Sequence, residues 1–305
     1  MSTWKHLSRV FESAEIIPFH SSSRFVIMSD CHRGDGSWSD NFLKNQTIFF
    51  AALSYYYNCG FSYIELGDGD ELWENRNMNQ IINVHSDAFW LMSRFHLENR
   101  LFMIYGNHDM VKKNYKFISN KCSTYYCEGA RKEQSLFPNM QVHEGLILEN
   151  KEADIRLYLA HGHQGDILND TLWPLTRFLV RYLWHPLELV GVLDPTSAAK
   201  NYGVKSKTEK RLIKWVEKEH KILITGHTHR PVFPTISEPT YFNDGSCIHP
   251  RCITAIEIDN DNIILVKWTT VTNCERILYI AREVLAGPTP LTFLSHKNQT
   301  DSTGA

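Results

Sequence analysis

Long apolar runs are missing from this sequence. Its most apolar stretch, residues 172–193, is broken by Arg177, Arg181, His185 and Glu188, which excludes a membrane-spanning helix of about 20 apolar residues. No N-terminal stretch combines a basic start, an apolar run and a small-residue cleavage site, so a cytoplasmic protein is expected. Neither sign of charge is in excess. Lys plus Arg number 32 and Asp plus Glu 34, for a net charge of -2. That excludes a chain drawn to nucleic acid or anionic membrane by bulk charge, and no nucleic-acid partner is expected. No Cys-x-x-Cys pair occurs among the seven cysteines. Cys122 with Cys127, or Cys247 with Cys252, can be read as disulfides or thiolate ligands. Reduced, partly buried thiols fit a cytoplasmic chain better. Internal repeats are also absent. Disorder over most of the length is excluded, because aromatic residues make up 12% of the chain and need a core to bury them.

What is abundant is histidine, with 15 residues in a chain of 305. The length allows one large domain or two modest ones. In the first half, short β-rich runs at residues 24–28, 61–66 and 101–105 alternate with helical patterns. One helix follows a possible N-cap at Asp40 and ends at Gly60, and another covers residues 78–98. Such alternation predicts parallel strands joined by helical crossovers. The second half instead predicts a hairpin of residues 145–148 with 155–160, a buried strand at 221–225 and a hairpin of 252–258 with 262–268. Hairpins beside crossover units imply a mixed sheet, or two sheets packed face to face between helices. Residues 1–23 read as an N-terminal segment and 24–286 as one domain. Residues 165–219 read as a helical insertion, and 287–305 as a disordered tail.

Each buried run leads into a polar cluster. The clusters are Asp30-Cys31-His32, Gly67-Asp68-Gly69-Asp70-Glu71, Gly106-Asn107-His108-Asp109, His161-Gly162-His163 and Gly226-His227-Thr228-His229. Groups just past the carboxyl ends of strands in an open α/β sheet share one crevice. Imidazole with carboxylate and no thiolate suits manganese, iron, cobalt or zinc. Asp30, His32, Asp68, Asn107, His161, His227 and His229 offer seven side chains, whereas a catalytic zinc site typically takes about three. Two ions sharing Asp68 would use them all.

The ordered set Asp-x-His, Gly-Asp-x-x-Glu, Gly-Asn-His-Asp, His and Gly-His-x-His resembles the calcineurin-like metallophosphoesterase superfamily over residues 25–268. The resemblance implies an α/β fold of mixed β-sheets packed in a sandwich flanked by helices, in four layers α/β/β/α, here with a helical insertion. It implies one ion held by Asp30, His32, Asp68 and His229, and a second held by Asp68, Asn107, His161 and His227. Manganese is the first expectation, with iron, zinc or cobalt as alternatives. The implied chemistry is two-metal hydrolysis, with a water or hydroxide between ions about 3.5–4 Å apart attacking phosphorus in line. His108 would be the general acid, oriented by Asp109. Asp70 and Glu71 would support their turn or fix a neighbouring histidine.

The expected substrate is a phosphate mono- or diester of a small molecule, nucleotide or lipid-linked compound. One alternative is a pyrophosphatase acting on a nucleotide-linked lipid or sugar. The insertion resembles that of the UDP-diacylglucosamine hydrolase branch, but Gly-Asn-His-Asp keeps a histidine where that branch has arginine. Another alternative is a non-catalytic scaffold on the same fold, like the metallophosphoesterase-like subunit of the retromer coat. Arg33 and Arg230 are candidates to grip phosphate, against the plainer reading of arginines paired with carboxylates. His163 is read as a second donor near the ligands. Arg177 and Arg181, on the insertion, would face phosphate if that segment caps the site. A packed helical subdomain, or an amphipathic element making peripheral membrane contact, are the other readings of the segment.

Overall fold

Each of the motif-bearing runs is aliphatic at successive positions, the pattern of a strand covered on both faces. The computed structural model describes residues 3–127, 130–165, 202–295 and 297. Its elements begin with α1 (Thr3–Glu12), β1 (Glu15–Pro18) and β2 (Phe25–Met28). Next come α2 (Gln46–Asn58), β3 (Ser62–Leu66), α3 (Met78–Val84), α4 (Ser86–Leu97) and β4 (Leu101–Ile104). They continue through α5 (Tyr115–Lys121), β5 (Thr124–Cys127), β6 (Lys132–Ser135), β7 (Val142–His143), β8 (Gly145–Asn150) and β9 (Ile155–Ala160). The last are α6 (Tyr202–Glu219), β10 (Ile222–Thr225), β11 (Tyr241–Asn243), β12 (Cys252–Asp259), β13 (Asn262–Thr272) and β14 (Leu278–Pro290).

Two mixed sheets result. The larger runs β14-β13-β12-β2-β3-β4-β7 and the smaller β1-β8-β9-β10-β11, while β5 and β6 form a separate hairpin. Strands β2, β3, β4 and β7 are parallel, whereas β12, β13 and β14 are antiparallel to their neighbours. Side chains alternate across each strand. Ile27, Ile64 and Ile104 therefore face inward and meet Leu148, Leu157 and Ile224 of the smaller sheet. Val26, Met28 and Tyr63 face outward onto Phe49, Leu53, Phe89 and Phe95 of α2 and α4. On the far side, Leu7 and Phe11 of α1 and Leu212 and Trp215 of α6 cover Tyr158 and Leu223. The layers are helix, sheet, sheet, helix, as the sequence resemblance implied. A buried polar string ties α2 to the larger sheet. Trp268 Nε1 donates to Tyr56 Oη at 2.8 Å, and Tyr56 donates to Glu257 at 2.6 Å.

Four sequence expectations need amendment. The helix expected over 78–98 is two helices, broken at His85, whose buried imidazole turns to Asp40 (2.9 Å) and Gln46 (3.2 Å). Asp40 does not start α2. It accepts from the backbone N–H of Phe42 and Gly36, at the head of a short 3₁₀ turn, Phe42–Lys44. Residues 1–23 are no separate segment, since β1 pairs in parallel with β8 and α1 covers the smaller sheet. The chain past Gly287 was expected to be disordered, yet β14 runs to Pro290, and Leu291 and Leu294 are buried. Proline is tolerated there because β14 lies at a sheet edge. Of the expected insertion, 202–219 is helical as α6. Residues 166–201 lie outside the described residues, as do 298–305 of the expected tail. Among the described residues no helix is long and apolar enough to cross a membrane.

Candidate metal centre

The five polar clusters sit where strands end and the backbone turns sharply. Asp30, His32, Asp68, His227 and His229 all have positive φ, between 48° and 66°. For residues with a β-carbon such conformations cost on the order of 1–3 kcal/mol each and concentrate at functional sites. Backbone bonds hold the turns together. Asp30 N–H donates to Gly67 O (3.0 Å), His32 N–H to Asp68 O (2.9 Å) and Gly226 N–H to His161 O (3.0 Å). Two glycines make the crowding feasible. A β-carbon at Gly67, whose φ is +96°, would lie 2.6 Å from His161 Nδ1, and one at Gly106 would lie 2.1 Å from Asp68 Oδ1.

The structure brings the predicted donors into two groups, Asp30 with His32 and His229, and Asp68 with His161 and His227. Within each group the donor atoms lie within 4.8 Å of one another. Asp68 also links the groups, because its Oδ2 is 3.1 Å from His161 Nε2 and 3.9 Å from His32 Nε2. His229 Nε2 lies 3.0 Å from Asp30 Oδ1. Asn107 adjoins them, since the next backbone N–H, that of His108, donates to Asp68 Oδ1 at 2.8 Å.

Buried polar atoms ordinarily find partners, and each orphan calls for an explanation. Asp30 Oδ1, His32 Nε2, Asn107 Oδ1 and His161 Nε2 are buried and make no hydrogen bond. The two ring nitrogens stand 3.1–4.0 Å from carboxylate oxygens, in contacts too long or too poorly aligned to be hydrogen bonds. The opposite atoms of the same side chains are engaged. His161 Nδ1 is 2.9 Å from Leu66 O, and His32 Nδ1 is 2.9 Å from Glu71. Such partners fix the ring and leave Nε2 as the lone-pair donor, the arrangement that metal-ligating histidines use. Imidazole nitrogen, carboxylate and amide oxygen with no thiolate fit a divalent transition metal.

Electrostatics bind the cluster further. Burial penalises the Asp68 carboxylate, but His161 and His108 outweigh it and hold its pKa well below the usual range. Burial also works against a charged His161, yet Asp68 and Asp30 hold it up at about 9. His227, with less compensation, is pushed by burial down to about 3.

His108 is the open member of the centre, with 23% of its side chain exposed. Its ring stacks on Trp73, with centroids 4.2 Å apart and planes 21° from parallel. Its Nδ1 lies 2.7 Å from Glu71, which also holds His32. Burial raises the Glu71 pKa, but His108 and His32 bring it down to about 2. The role expected of Asp109 therefore falls to Glu71. Asp109 folds back under its own turn, accepting from the N–H of Gly106 (2.7 Å) and Gly69 (3.2 Å) and from Lys112 Nζ (2.7 Å). The glutamate of Gly-Asp-x-x-Glu was the signal in the sequence. Its pairing with His108 depends on how the second and third turns pack.

The remaining candidates scatter. Arg33 is fully buried, bidentate to Glu65 at 2.8 and 2.9 Å and bonded to Asp70 at 2.7 Å, so it does not reach a phosphate. Arg230 has 56% of its side chain exposed and stands 3.7 Å from Glu209. His163 is buried with both ring nitrogens unpartnered, its ring 5.6 Å from that of His161. Burial pushes its pKa well below the usual value, so its ring is neutral. Arg177 and Arg181 lie outside the described residues. Sequence reasoning missed Ser29 and Asp244. Ser29 donates to Asp30, and its hydroxyl lies 2.7 Å from the buried Asp244. A serine before the first aspartate gave no distinct signal.

The calcineurin-like phosphoesterase family model matches residues 23–231. Comparison with curated proteins gives no match. Among solved structures the chain is similar to Vps29 of Chaetomium thermophilum, at 11% identity and a TM-score of 0.39, covering 87% of this chain and 97% of that one.

Proposed function

The chain belongs to the calcineurin-like phosphoesterase family, and from that premise we propose that it is a dinuclear metal-dependent hydrolase of a phosphate mono- or diester. The observation that carries this reading is the set of buried, unpartnered donor atoms gathered about Asp68, with the half-open His108 beside them. Asp30, His32, Asp68 and His229 would hold one ion, and Asp68, Asn107, His161 and His227 the other. Manganese is the first choice for this nitrogen and oxygen set. Bound there, the two ions would offset phosphoryl charge and supply a nucleophile from water at neutral pH.

The protein's own groups do the rest. His108 engages Glu71 through Nδ1, which leaves Nε2 to deliver a proton to the departing oxygen. Glu71 holds the ring at Nδ1, and Trp73 fixes its plane. Arg230 is exposed enough to meet a phosphate, while Arg33 is committed to Glu65 and Asp70. The substrate is a phosphorylated small molecule, a nucleotide or a lipid-linked compound.

The test is a manganese-supplemented hydrolysis screen run beside metal analysis. It should span aryl mono- and diesters, cyclic nucleotides, phosphopeptides and nucleotide-linked sugars and lipids. Close to two ions per chain and turnover of an ester are expected. Turnover confined to nucleotide-linked pyrophosphates would replace the ester reading with the pyrophosphatase one. Bound metal without any turnover would point to a scaffold, and absence of metal after reconstitution would refute the centre itself.

A further inference from the structure

Beneath the ligand-bearing turns lies a second cluster of charge that the proposed chemistry does not use. Arg33, Glu65, Asp70, Asp109 and Lys112 are all buried. They form a string of alternating sign. Glu65 grips Arg33 through two bonds, and Arg33 Nε reaches Asp70 Oδ1 at 2.7 Å. Asp70 Oδ2 lies 2.7 Å from Lys112 Nζ, and Lys112 donates to Asp109 Oδ2 at 2.7 Å. Asp109 then accepts from the backbone of Gly106 and Gly69.

The order of the string matches the order of the turns. Arg33 directly follows His32, Asp70 stands two residues after Asp68, and Asp109 two after Asn107. Arg33 with Asp70, Asp70 with Lys112 and Asp109 with Gly69 therefore each join one turn to another, while Lys112 with Asp109 closes the third turn on itself. Lys112 reaches the junction because the chain after Asp109 makes a short 3₁₀ turn, Met110–Lys113, and Lys112 N–H donates back to Asp109 O at 2.9 Å. That turn brings the ammonium under the motif it follows. Burying ions is expensive, and removing one partner of a buried pair leaves an uncompensated charge. A string this costly at this place has to serve the turns it connects.

We infer that Lys112 is a positioning residue of the metal centre, its ammonium setting the spacing between the turn that carries Asp68 and the turn that carries Asn107. The inference rests on the dinuclear reading above and concerns how the donor set is held together. Two effects of Lys112 on a bound cation oppose each other. Its charge repels the ion through the protein, whereas its ion pair with Asp70 and its hydrogen bond to Asp109 keep Asp68 and Asn107 in register. The sign of one measurement separates them.

Metal-free protein and its Lys112→Met variant should be titrated calorimetrically with Mn²⁺, with thermal unfolding of the metal-free forms recorded alongside. If Lys112 acts by positioning, the variant binds Mn²⁺ about 10- to 100-fold more weakly, the usual scale for groups that support ligands, and Lys112→Arg recovers most of the loss. Unchanged or tighter binding by a folded variant overturns the inference, because loss of repulsion alone strengthens cation binding. The double variant Lys112→Met with Asp109→Asn removes one charge of each sign and keeps the buried balance. It carries the same expectation if the single variant fails to fold. Failure of the unaltered protein to bind Mn²⁺ would instead refute the metal reading and leave the charge string a purely structural device.

Discussion

The carboxylate of Glu71 lies 2.7 Å from Nδ1 of His108, and the same group reaches Nδ1 of His32 at 2.9 Å. One buried acid thus orients an imidazole of the donor cluster and the half-open imidazole beside it. The two rings meet edge to face, with centroids 4.6 Å apart. A cation on Nε2 of His32 would draw on the same carboxylate that supports His108. The proposed proton donor and the proposed metal centre would therefore be coupled through Glu71.

Replacing His108 with alanine should leave metal content intact and slow turnover by about 100- to 10,000-fold. Glu71→Gln should slow it less, by about 10- to 100-fold, with the loss greatest for poor leaving groups in both variants. Asp109→Asn should not change the leaving-group dependence, because Asp109 bonds Gly106, Gly69 and Lys112 instead of His108. A series of aryl phosphates with graded leaving groups checks all three.

Asp68→Ala should abolish hydrolysis of an aryl phosphate, since both proposed ion sites lose a ligand. Gly106→Ala should do nearly the same without replacing a ligand, because its new methyl would overlap Asp68 Oδ1. Metal analysis of each purified variant, beside the assay, is the check. Wild-type metal content in both would refute the bridging place of Asp68.

Acid should loosen the loop after His32 in a way that one substitution removes. Burial raises the pKa of Asp40, but His85 and the N–H groups of Gly36 and Gly34 lower it below its ordinary 3.8. A carboxyl lowered by folding adds stability that is complete above its unfolded pKa and lost as pH falls through the folded one. Wild type should therefore lose more unfolding free energy than Asp40→Asn between about pH 5 and pH 3. Urea melts at the two values measure the difference.

Tyr56→Phe should destabilise the fold by about 1–3 kcal/mol, the usual cost of leaving buried polar groups unmet. It strands the indole N–H of Trp268 and removes a donor to Glu257, while Arg282 keeps its bonds to that carboxylate. Chemical denaturation reads the change, and metal content should match wild type.

Much of the fold was legible in the sequence where strands are buried on both faces. The aliphatic runs before Asp30, Asp68 and Asn107 announced β2, β3 and β4 to within a residue or two. Elements with little to bury gave little pattern. Strand β1 buries only Ile17 of its four residues, and β14 is exposed or half-exposed throughout. The residues that gather about Asp68 were legible because their types and spacing suit the chemistry proposed. Their supports were legible only in part, since Glu71 was expected to fix a neighbouring histidine but not a particular one. That Glu71 holds His108, that Lys112 bridges Asp70 and Asp109, and that Arg33 turns inward all depend on contacts between turns far apart in sequence.

The left-handed residues at the strand ends have a consequence for how cations come and go. Because backbone bonds tie together the turns that carry Asp30, His32 and Asp68, a cation bound as proposed would enter turns already linked to one another. Such a preformed socket would trade one divalent species for another with the scaffold at rest. Its occupant would follow the supply in its surroundings, not a choice made while the polypeptide folds.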